Sequence, residues 1–586
     1  MRDTLLFTGG AMLLTSIKIE HYRGIKSLEL TLGQTTVLVG ENNCGKTTVL
    51  HALRACLAFL RATGRAAPFD EFDLHLASRA ADPTTAPPIV ITLTFEEGAV
   101  GEWSDEVEQK LGGDGGVIAL IPPDDRSRVQ LRVNAAYSTV TQEIETTFEF
   151  LDAAGNPLPA KNRSRLGSLQ QLRPLFYLSA LRDAGKEFSR TSQFWSPFVK
   201  NSQIDEATKA DIEAQLEEIN SQIIEAHGTF KGVRQHLGKV RELVSLGAQD
   251  VVSVDAVPSR VFDMLSRTQV SIASATGARL PIGRHGEGTQ SLAVLMLFDA
   301  FLKSELARKQ GVSETRPVVA LEEPEAHLHP NAVRALWKTI RDIEGQKLIA
   351  THSGDLLSEV DLTAIRRIYK RRGQVKVGAI VPGTLEPRDQ KKFDFLVRRT
   401  RGELFFARCW LLGEGETEAI LFAGVAEVLG LDLEQAGVRC VEYRLGDIDY
   451  FLDAANALGI AWHCLTDADD QGASDVKKAQ DRIPETPKRP WRHISVLLNA
   501  ASIEPYLATN GFLDVYETIA VPAKKQAKLK VGPGDPAYVD QIVKCIPDKP
   551  SAAYAVVEAM RDRGPASIPK ALKSAVMKAV ALARRQ

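Results

Sequence analysis

Five acidic side chains in the second half of the chain have types and spacings suited to holding divalent metal ions. Glu414 follows the apolar run CWLLG and Glu418 comes one helical turn later, so both carboxylates can face one point at a strand end. Asp467 and Asp469 follow a second apolar run and alternate onto the same face, and Glu504 follows a third run. Clustered carboxylates repel one another unless a cation lies among them, and oxygen ligands favour Mg²⁺ or Mn²⁺ over zinc. The pattern predicts a pair of ions that would clamp the attacking and leaving oxygens of a phosphodiester, whereas each acid pair taken alone could be merely solvated.

A glycine-rich string near the amino terminus has the residue types that cradle phosphates. Residues 40–47 read GENNCGKT, which fits G-x-x-x-x-G-K-[ST], and they lie between the apolar run QTTVLV and an amphipathic helical pattern. Backbone N–H groups of such a loop wrap phosphates, Lys46 would neutralise the β and γ charges, and the Thr47 hydroxyl would bind Mg²⁺. The expected nucleotide-binding residues here are Gly40, Asn43, Gly45, Lys46, Thr47 and Thr48.

Three further motifs carry groups that could act on a bound nucleotide. The apolar run VVAL ends in Glu322, which would hold Mg²⁺ through water, and Glu323, which could polarise an attacking water as general base. The run KLIAT ends in His352, which is placed to sense the γ-phosphate, although a lone histidine is more often structural. The segment GEGTQS puts Gly288 and Ser291 at the start of an apolar helix, which predicts a second phosphate-binding helix terminus.

The elements that must position these groups are the strands and helices of an α/β protein with more than one compact unit. A strand, a glycine turn and a helix follow one another around residue 40, and charged helical patterns interrupt the apolar strands between about 205 and 249. The expected units are the first part of a nucleotide-binding domain with its phosphate loop (1–200), a helical insertion that would serve as a dimerisation arm (201–260), the second part of the nucleotide-binding domain with a basic connector (261–400), a metal-binding α/β domain (401–515) and a basic helical carboxyl-terminal segment (516–586).

Length and composition fit a soluble protein. The 586 residues are 44% hydrophobic and 25% charged, which excludes disordered, collagen-like and disulfide-scaffold classes. Six cysteines without a C-x-x-C pair, in a chain with no recognisable secretory signal, indicate a reducing cytoplasm. The apolar run 291–302 is too short for a bilayer span and contains Asp299, so no membrane partner is expected.

The net charge is close to zero, so any surface for nucleic acid must be local. The chain has 72 Lys and Arg against 74 Asp and Glu, a formal charge of −2. Residues 362–401 hold twelve basic against three acidic residues, and residues 511–586 hold thirteen against seven. Either run could be a solvated face or a linker, but a basic tract between two modules is also suited to contacting backbone phosphates.

The phosphate loop, the segment GEGTQS, the acidic pair and His352 together resemble the ATPase heads of the ABC, SMC, RecN and Rad50 superfamily. In those heads each ATP lies between the P-loop of one subunit and the signature segment of another. The resemblance therefore implies ATP as cofactor, Glu323 as a catalytic residue, and a homodimer or higher homo-oligomer. The chain departs from the pattern in a signature that is not LSGGQ, and in Glu322, where an aspartate commonly precedes the catalytic glutamate.

The second group of acids resembles a TOPRIM domain, the metal-dependent unit of DnaG-type primases, topoisomerases and some nucleases. An ABC-type head followed by TOPRIM resembles the OLD (overcoming lysogenization defect) family of ATP-dependent nucleases, whose wider circle includes the nuclease subunit of the Gabija anti-phage system. The motifs that occur in that family's order are IKIEHYRGI, GENNCGKTT, GEGTQS, LEEPEAHLHP, IATHS, GEGETE, DAD and SIEPYL. The implied fold is α/β: an ABC-type P-loop ATPase with an inserted helical arm, then a TOPRIM domain and a helical carboxyl-terminal segment.

This resemblance also implies roles for individual residues. Two Mg²⁺ or Mn²⁺ ions would be held by Glu414, Glu418, Asp467, Asp469 and Glu504, of which Glu414, Asp467 and Asp469 would be catalytic. A basic residue downstream would stabilise charge on the phosphate; Lys549 is the candidate and Lys573 the alternative, and a merely solvated lysine is equally compatible with the sequence. The family more often has valine where Gly413 stands, a departure that would loosen the strand end before Glu414.

The leading hypothesis is a divalent-metal-dependent endonuclease that nicks or cuts duplex DNA and is gated by dimerisation of its ATPase head. Phage defence or DNA repair is the role that the resemblance implies, and a helicase encoded nearby would be a further partner. The alternative is an ATP-driven DNA clamp or signalling ATPase whose TOPRIM acids bind metal without cutting. A primase or topoisomerase would need a polymerase accessory or a nucleophilic tyrosine, and nothing near Tyr506 marks it as more than packing.

Overall fold

The computed structural model describes residues 12–60, 68–76, 81–179, 204–229, 256–265, 270–273, 279–308, 314–444, 447–498 and 500–585. The expected α/β class is confirmed in these ranges. The first helix of the expected arm forms over Glu206–Ala226. Its expected continuation at 231–244 lies outside the described residues, as does the end of the apolar run 175–182.

The strands form four sheets within the described residues. In chain order they are β1 (Leu13–Tyr22), β2 (Ile25–Thr31), β3 (Thr35–Val39), β4 (Ile89–Glu96), β5 (Ala119–Ile121), β6 (Arg126–Ser138), β7 (Glu143–Leu151), β8 (Leu175–Leu178), β9 (Ser271–Ala273), β10 (Arg279–Pro281), β11 (Val318–Glu322), β12 (Gln346–Ala350), β13 (Ile365–Arg371), β14 (Gln374–Gly378), β15 (Cys409–Gly413), β16 (Val438–Glu442), β17 (Ala461–Thr466) and β18 (Ile494–Val496).

The α-helices are distributed along the whole described chain. In order they are α1 (Lys46–Arg54), α2 (Asp105–Leu111), α3 (Leu166–Leu172), α4 (Glu206–Ala226), α5 (Val261–Leu265), α6 (Glu287–Arg308), α7 (Pro330–Asp342), α8 (Gly354–Leu357), α9 (Pro387–Arg399), α10 (Glu416–Val428), α11 (Ile448–Leu458), α12 (Asp470–Asp481), α13 (Pro490–His493), α14 (Ile503–Leu507), α15 (Leu513–Ile519), α16 (Pro522–Lys528), α17 (Tyr538–Ile542), α18 (Lys549–Arg563) and α19 (Lys570–Ala583).

The first large sheet is antiparallel and carries the alternating pattern that such sheets require. Its strands run in the order β2-β1-β4-β6-β5, and β7 pairs with β6. Alternate residues of β6 are buried, which is what one solvated face and one packed face demand. The buried side chains pack with α1 into one core, so this sheet covers the helix that follows the phosphate loop.

The second large sheet brings the nucleotide motifs to one edge. Its order is β14-β13-β3-β12-β11-β8, with all neighbours parallel except β13 and β14. The strands β3, β11 and β12 are almost continuously buried, as expected for parallel strands covered on both faces. Because the strands are parallel, the phosphate loop after β3, the acidic pair after β11 and His352 after β12 all leave the same edge.

A third sheet carries the second group of acids. Its order is β16-β15-β17-β18 and every pair is parallel. One face packs on α10, α18 and α19 in a core that includes Leu411, Leu465 and Val557. The helices at 549–583 therefore cover this sheet rather than extending from it. Tyr516, Ile546 and the buried residues of the last two helices share this core with the third sheet. Ala520, Tyr538, Ile542 and Cys545 form a small cluster of their own.

The other face of this sheet shares a core with the nucleotide-binding sheet, so the two units are joined by packing as well as by the chain. One cluster of buried side chains includes Val39 and Ile349 from the second sheet and Trp410 and Trp462 from the third. No helix in the described ranges is both long and apolar enough to span a membrane.

Two arginines of the basic tract 362–401 are structural at this joint. Arg367 is 2% exposed, and its guanidinium donates to the carbonyls of Phe405 (2.9 Å), Ala407 (2.7 Å) and Leu458 (3.2 Å). Arg366 is also buried and donates to the Thr31 carbonyl at 3.0 Å. Both guanidinium groups are buried and donate to main-chain carbonyls, so Arg366 and Arg367 cannot contribute to a phosphate-binding surface.

Candidate functional site

The phosphate loop has the backbone that its glycines permit. Gly40 and Gly45 have φ angles of 152° and 112°, a region that side chains other than glycine rarely adopt. A Cβ at Gly40 would lie 2.0 Å from the carbonyl oxygen of Ile368 in β13, so only glycine fits this close approach. Asn43 has a φ of 59°, which asparagine tolerates better than most residues, and it is exposed.

Lys46 lies folded into this loop. Its Nζ donates to the carbonyls of Gly40 and Glu41, each at 2.9 Å, and the side chain is 5% exposed. Burial lowers the pKa of Lys46, while the nearby Glu323 and Glu325 carboxylates favour its charged form. The Lys46 ammonium therefore lies within the phosphate loop. To bind a phosphate, it would have to exchange its two carbonyl acceptors for phosphate oxygens.

Thr47 and Glu322 meet where a Mg²⁺ ion would bind beside a nucleotide. The Thr47 hydroxyl donates to Glu322 Oε1 at 2.7 Å, and the Tyr177 hydroxyl donates to Glu322 Oε2 at 2.6 Å. Burial and the hydrogen bond to Glu322 raise the pKa of Tyr177, so the phenol stays protonated and remains a donor. Tyr177 was not singled out in the sequence; its signal was its position near the end of an apolar run that became β8, next to β11.

Glu323 and His352 also come together at this edge. Glu323 Oε1 lies 3.8 Å from His352 Nε2, and both side chains are partly exposed at the edge where the nucleotide would bind. Burial lowers the pKa of His352, and the Lys46 charge lowers it further, so the ring is neutral near pH 7. A positive φ of 43° at Glu323 directs the chain out of β11 immediately after Glu322.

Glu325 positions the histidine segment and was missed in the sequence. Its Oε1 accepts hydrogen bonds from the Thr351 hydroxyl at 2.6 Å and the His352 backbone N–H at 3.0 Å. Burial raises the pKa of Glu325 despite these donors. The sequence feature that could have revealed it is the third acid of LEEPE. Burying a further carboxylate beside an acidic pair costs free energy unless hydrogen-bond donors surround it.

The segment GEGTQS begins helix α6, as expected. A Cβ at Gly288 would lie 2.9 Å from the His327 carbonyl oxygen, so this glycine allows the helix to pack on the loop after β11. Ser291 is 4% exposed and thus faces its own chain. Within the described residues no hydrogen bond or ion pair joins Gly288 or Ser291 to the phosphate loop.

The five acids of the second group lie at the carboxyl edge of the third sheet. Glu414 follows β15, Asp467 follows β17, and Asp469 caps helix α12 by accepting from the Gly472 N–H at 2.7 Å. Glu418 and Glu504 approach from helices α10 and α14, and both side chains are buried.

Burial and the neighbouring carboxylates raise the pKa values of two of these acids. Burial first, and then Glu414, Glu418, Asp469 and Glu504, raise the pKa of Asp467 to about 8. Burial likewise raises the pKa of Glu418, with Glu414 and Glu504 adding to the effect. A set of oxygen donors that resists carrying its full negative charge fits a hard divalent cation such as Mg²⁺ or Mn²⁺.

Local donors hold several of these carboxylates. Glu418 accepts from the Gly415 N–H at 2.9 Å, and Glu504 accepts from the Ser502 hydroxyl at 3.0 Å. Among the residues that the structure describes, no three His, Cys, Asp or Glu side chains already stand in the arrangement of a metal site. Metal binding at this edge would therefore exchange these local donors for the cation by side-chain rotation.

Of the two candidate lysines, Lys549 lies at the acids. Its Nζ is 2.8 Å from Glu504 Oε1, and the carboxylates of Glu504, Glu418 and Asp467 raise its pKa against the opposing effect of burial. Lys573 is exposed on α19, and no hydrogen bond or ion pair between described residues joins its side chain to the acids. The fold thus distinguishes two lysines that the sequence left open.

The structure explains why position 413 is a glycine, which the sequence did not reveal. A Cβ at this position would lie 2.5 Å from Glu418 Cβ and 3.1 Å from Phe422 Cε2. The glycine does not loosen the strand end, since all five residues of β15 are buried. It makes room for Glu418 to pack against the strand that delivers Glu414.

Tyr506 is a packing residue. It is 6% exposed, and its hydroxyl accepts a hydrogen bond from the Ala571 N–H at 3.1 Å, which ties α14 to α19. Burial and this contact leave it without the exposure that a nucleophile needs.

Two sequence families match the chain. The family described as "Protein of unknown function (DUF2813)" matches residues 12–403, and the one described as "Overcoming lysogenization defect protein-like, TOPRIM domain" matches residues 405–469. The second match ends at Asp469, so Glu504 and Lys549 lie beyond it; the two are joined to each other by the contact at 2.8 Å.

Several curated proteins match most of the chain, and three of them are described below. "Uncharacterized protein YbjD" of Escherichia coli (strain K12) is 25% identical over 98% of this chain and 99% of its own length. "OLD nuclease" of Thermus scotoductus is 24% identical over 94% of this chain and 98% of its own. "Endonuclease GajA" of Bacillus cereus is 22% identical over 78% of this chain and 75% of its own.

Proposed function

Because the chain belongs to the DUF2813 family and carries an OLD-like TOPRIM domain, we propose that it is a divalent-metal-dependent DNA endonuclease coupled to an ATPase head. The observation that supports the proposal is that Glu414 and Asp467 follow neighbouring parallel strands at one sheet edge, where Lys549 lies 2.8 Å from Glu504. The names "OLD nuclease" and "Endonuclease GajA" of two relatives support the choice of nuclease over other TOPRIM activities.

The residues at the acidic edge divide into ligands and a cationic partner. Glu414, Glu418, Asp467, Asp469 and Glu504 are the ligands that would hold two Mg²⁺ or Mn²⁺ ions. Two such ions, when bound, supply an activated water and stabilise the leaving oxygen of a phosphodiester. Lys549, which lies 2.8 Å from Glu504 Oε1, would stabilise negative charge on a non-bridging phosphate oxygen through its ammonium group.

The head has the groups that ATP hydrolysis requires. Lys46 would leave the carbonyls of Gly40 and Glu41 to bind the β- and γ-phosphates. Thr47 and Glu322, already joined at 2.7 Å, would share the Mg²⁺ that accompanies ATP. Glu323 accepts a proton from the attacking water, and the neutral His352 beside it donates to the γ-phosphate.

The assembly and the cellular role follow as further parts of the proposal. A homodimer or higher homo-oligomer would place GEGTQS of one subunit opposite the phosphate loop of another. The substrate would be duplex DNA in a reducing cytoplasm, and phage defence or DNA repair, with a helicase as partner, would be the setting.

Plasmid nicking tests the nuclease. Supercoiled plasmid is incubated in Mg²⁺ or Mn²⁺, with and without EDTA. The proteins are wild type, Asp467→Ala and the control Asp540→Ala, which replaces an exposed acid on α17. We expect relaxed or linear product from wild type and control only, and ATP hydrolysis by all three. Equal nicking by Asp467→Ala would remove the site assignment. No product from any protein with either metal, alongside ATP hydrolysis, would favour the non-cutting clamp.

A further inference from the structure

Six arginines from three separate segments surround one open groove of about 750 Å³ on the side of the metal-binding unit away from the acids. They are Arg371 at the end of β13 and Arg372 in the turn that follows, Arg489 and Arg492 before β18, and Arg584 and Arg585 after α19. In the described chain the groove is lined by one acid, Glu485, whose carboxylate lies 2.9 Å from His493 Nε2.

The six positive charges are not neutralised by the protein. Within the described residues, no hydrogen bond or ion pair joins any of these guanidinium groups to a carboxylate. The Nε of Arg492 is buried and has no acceptor. Burial lowers the pKa of Arg492, and the charges of Arg489 and Arg585 lower it further, with Glu485 opposing them. Arginines that crowd one another in this way favour an anionic ligand.

An exposed aromatic ring lies at the same place. Trp491 is 60% exposed, and the guanidinium carbon of Arg492 lies 4.9 Å from its ring centroid. A large apolar side chain beside unpaired arginines is the composition of surfaces that bind nucleic-acid strands, where rings and guanidinium planes stack with bases.

The groove and the acids lie at opposite ends of the same strand. Ile460 and Ala461, at the amino end of β17, line the groove, and Asp467 follows the carboxyl end of that strand. A strand of this length spans roughly 20 Å at about 3.3 Å per residue. This is the length of about six base pairs of duplex DNA at roughly 3.4 Å per pair.

We propose that this arginine groove binds the backbone phosphates of the DNA segment that flanks the cleaved phosphodiester, about six base pairs away. The proposal rests on the nuclease function above. It favours a continuous strand over a free nucleotide because the six guanidinium groups come from three segments spread around an open groove.

Such binding is independent of sequence and sensitive to salt. Each phosphate contact adds about 0.9 to the slope of log affinity against log salt. Removing two arginines should therefore flatten the slope by about 2 and weaken binding to every sequence alike.

Fluorescence anisotropy with full-length protein tests the groove apart from cleavage. Labelled duplexes of 6 and 30 base pairs are titrated in EDTA with Asp467→Ala as the parent. The groove variant adds Arg489→Glu and Arg585→Glu, and the control adds Arg316→Glu and Lys338→Glu, which are exposed residues of the head with the same change in net charge. We expect the groove variant to bind the 30-mer at least about tenfold more weakly with a flatter salt slope, and the control to match the parent.

Equal loss in the control and groove variants, or no loss in either, would overturn the proposal. So would binding of labelled ATP by a Lys46→Ala parent that is lost with Arg489→Glu and Arg585→Glu, since that outcome identifies a nucleotide pocket. Because these titrations need no cleavage, a wild-type protein that fails to nick plasmid would contradict the nuclease function without altering the binding result.

Discussion

Arg408 and Glu41 form a two-pronged ion pair between the phosphate loop and the metal-binding unit. Arg408 Nε lies 2.5 Å from Glu41 Oε1, and Arg408 Nη2 donates to Glu41 Oε2 at 2.8 Å. Glu41 is the second residue of the phosphate loop, and Arg408 immediately precedes β15, which leads to Glu414. Both side chains are about two-fifths exposed, so the pair adds at most about 1 kcal/mol to stability. It joins the loop that would bind ATP to the strand that precedes Glu414, a proposed metal ligand.

Replacing Arg408 by alanine is expected to separate the two activities. A change of loop conformation on ATP binding would no longer reach β15 through Glu41, so nicking rates with and without ATP should converge. ATP hydrolysis and the midpoint of thermal unfolding should stay close to wild type, because the pair is exposed. The measurement is the ratio of nicking rates at saturating and zero ATP.

Arg439→Ala provides the matched control for this prediction. Arg439 forms exposed ion pairs with Glu403 and Glu434, within about the same stretch of chain but without a contact to the phosphate loop. A change in the ATP response that is the same in both variants would rule out a specific role for Arg408.

Glu323→Gln is expected to stop ATP turnover while leaving ATP binding within about threefold of wild type. The amide keeps the size of the side chain but cannot take a proton from water, and general-base loss costs about 10²- to 10⁴-fold in rate. Phosphate release and binding of a fluorescent ATP analogue measure the two effects. Glu359→Gln, which replaces an exposed glutamate outside these motifs, is the control. Full ATP turnover by Glu323→Gln would show that another residue is the general base.

Gly413→Val is expected to weaken metal binding more than it lowers the free energy of unfolding. The new Cβ would lie 2.5 Å from Glu418 Cβ, so Glu418 must move and its carboxylate with it. We expect the Mn²⁺ concentration for half-maximal nicking to rise about tenfold or more. Gly167→Ala is the control, because an added Cβ there meets no atom within 4 Å. An unchanged Mn²⁺ requirement would show that Glu418 is dispensable for the metal site.

Lys549→Met is expected to lower the nicking rate about 10²-fold, the usual cost of losing one group that stabilises charge in a transition state. Lys573→Met should have little effect, because Lys573 makes no described contact with the acids. Single-turnover nicking at saturating Mg²⁺ separates the chemical step from DNA binding. The reverse order of the two effects would return the role to Lys573.

His463 makes the stability of the metal-binding unit depend on pH. It is fully buried, its Nδ1 faces the Arg492 carbonyl at 2.8 Å and its Nε2 lies 3.0 Å from the Ser495 hydroxyl, and burial lowers its pKa to about 3. The unfolded chain binds this proton below about pH 6.5, whereas the folded protein does not. The contribution of His463 to stability is thus complete above about pH 6.5 and is lost towards pH 3, by up to about 1.4 kcal/mol per pH unit.

Urea unfolding from pH 7 to pH 4 checks this dependence. His463→Gln should be less stable throughout, but its free energy of unfolding should fall less steeply with acid than that of wild type. Parallel slopes for the two proteins would contradict a neutral, buried His463.

The fold class and the OLD-family resemblance could be predicted from the sequence, and both are confirmed. The phosphate loop, the acidic pair after β11 and the acids around Glu414 and Asp467 each occupy a few consecutive residues at the end of an apolar run. Such patterns are local, because the chemistry of phosphate and metal binding needs particular residues at particular spacings along one turn.

The tertiary structure decided relations between residues far apart in the chain. In the structure Lys549, and not Lys573, contacts Glu504. Tyr177 and Thr47 both donate hydrogen bonds to Glu322, and Glu325 accepts one from the His352 backbone. The tertiary structure also turned Arg367 inward and gathered other arginines of three segments around one groove. The physical reason is that contacts of this kind depend on how sheets and helices pack, and packing is a property of the whole core, which residue types and local spacing do not specify.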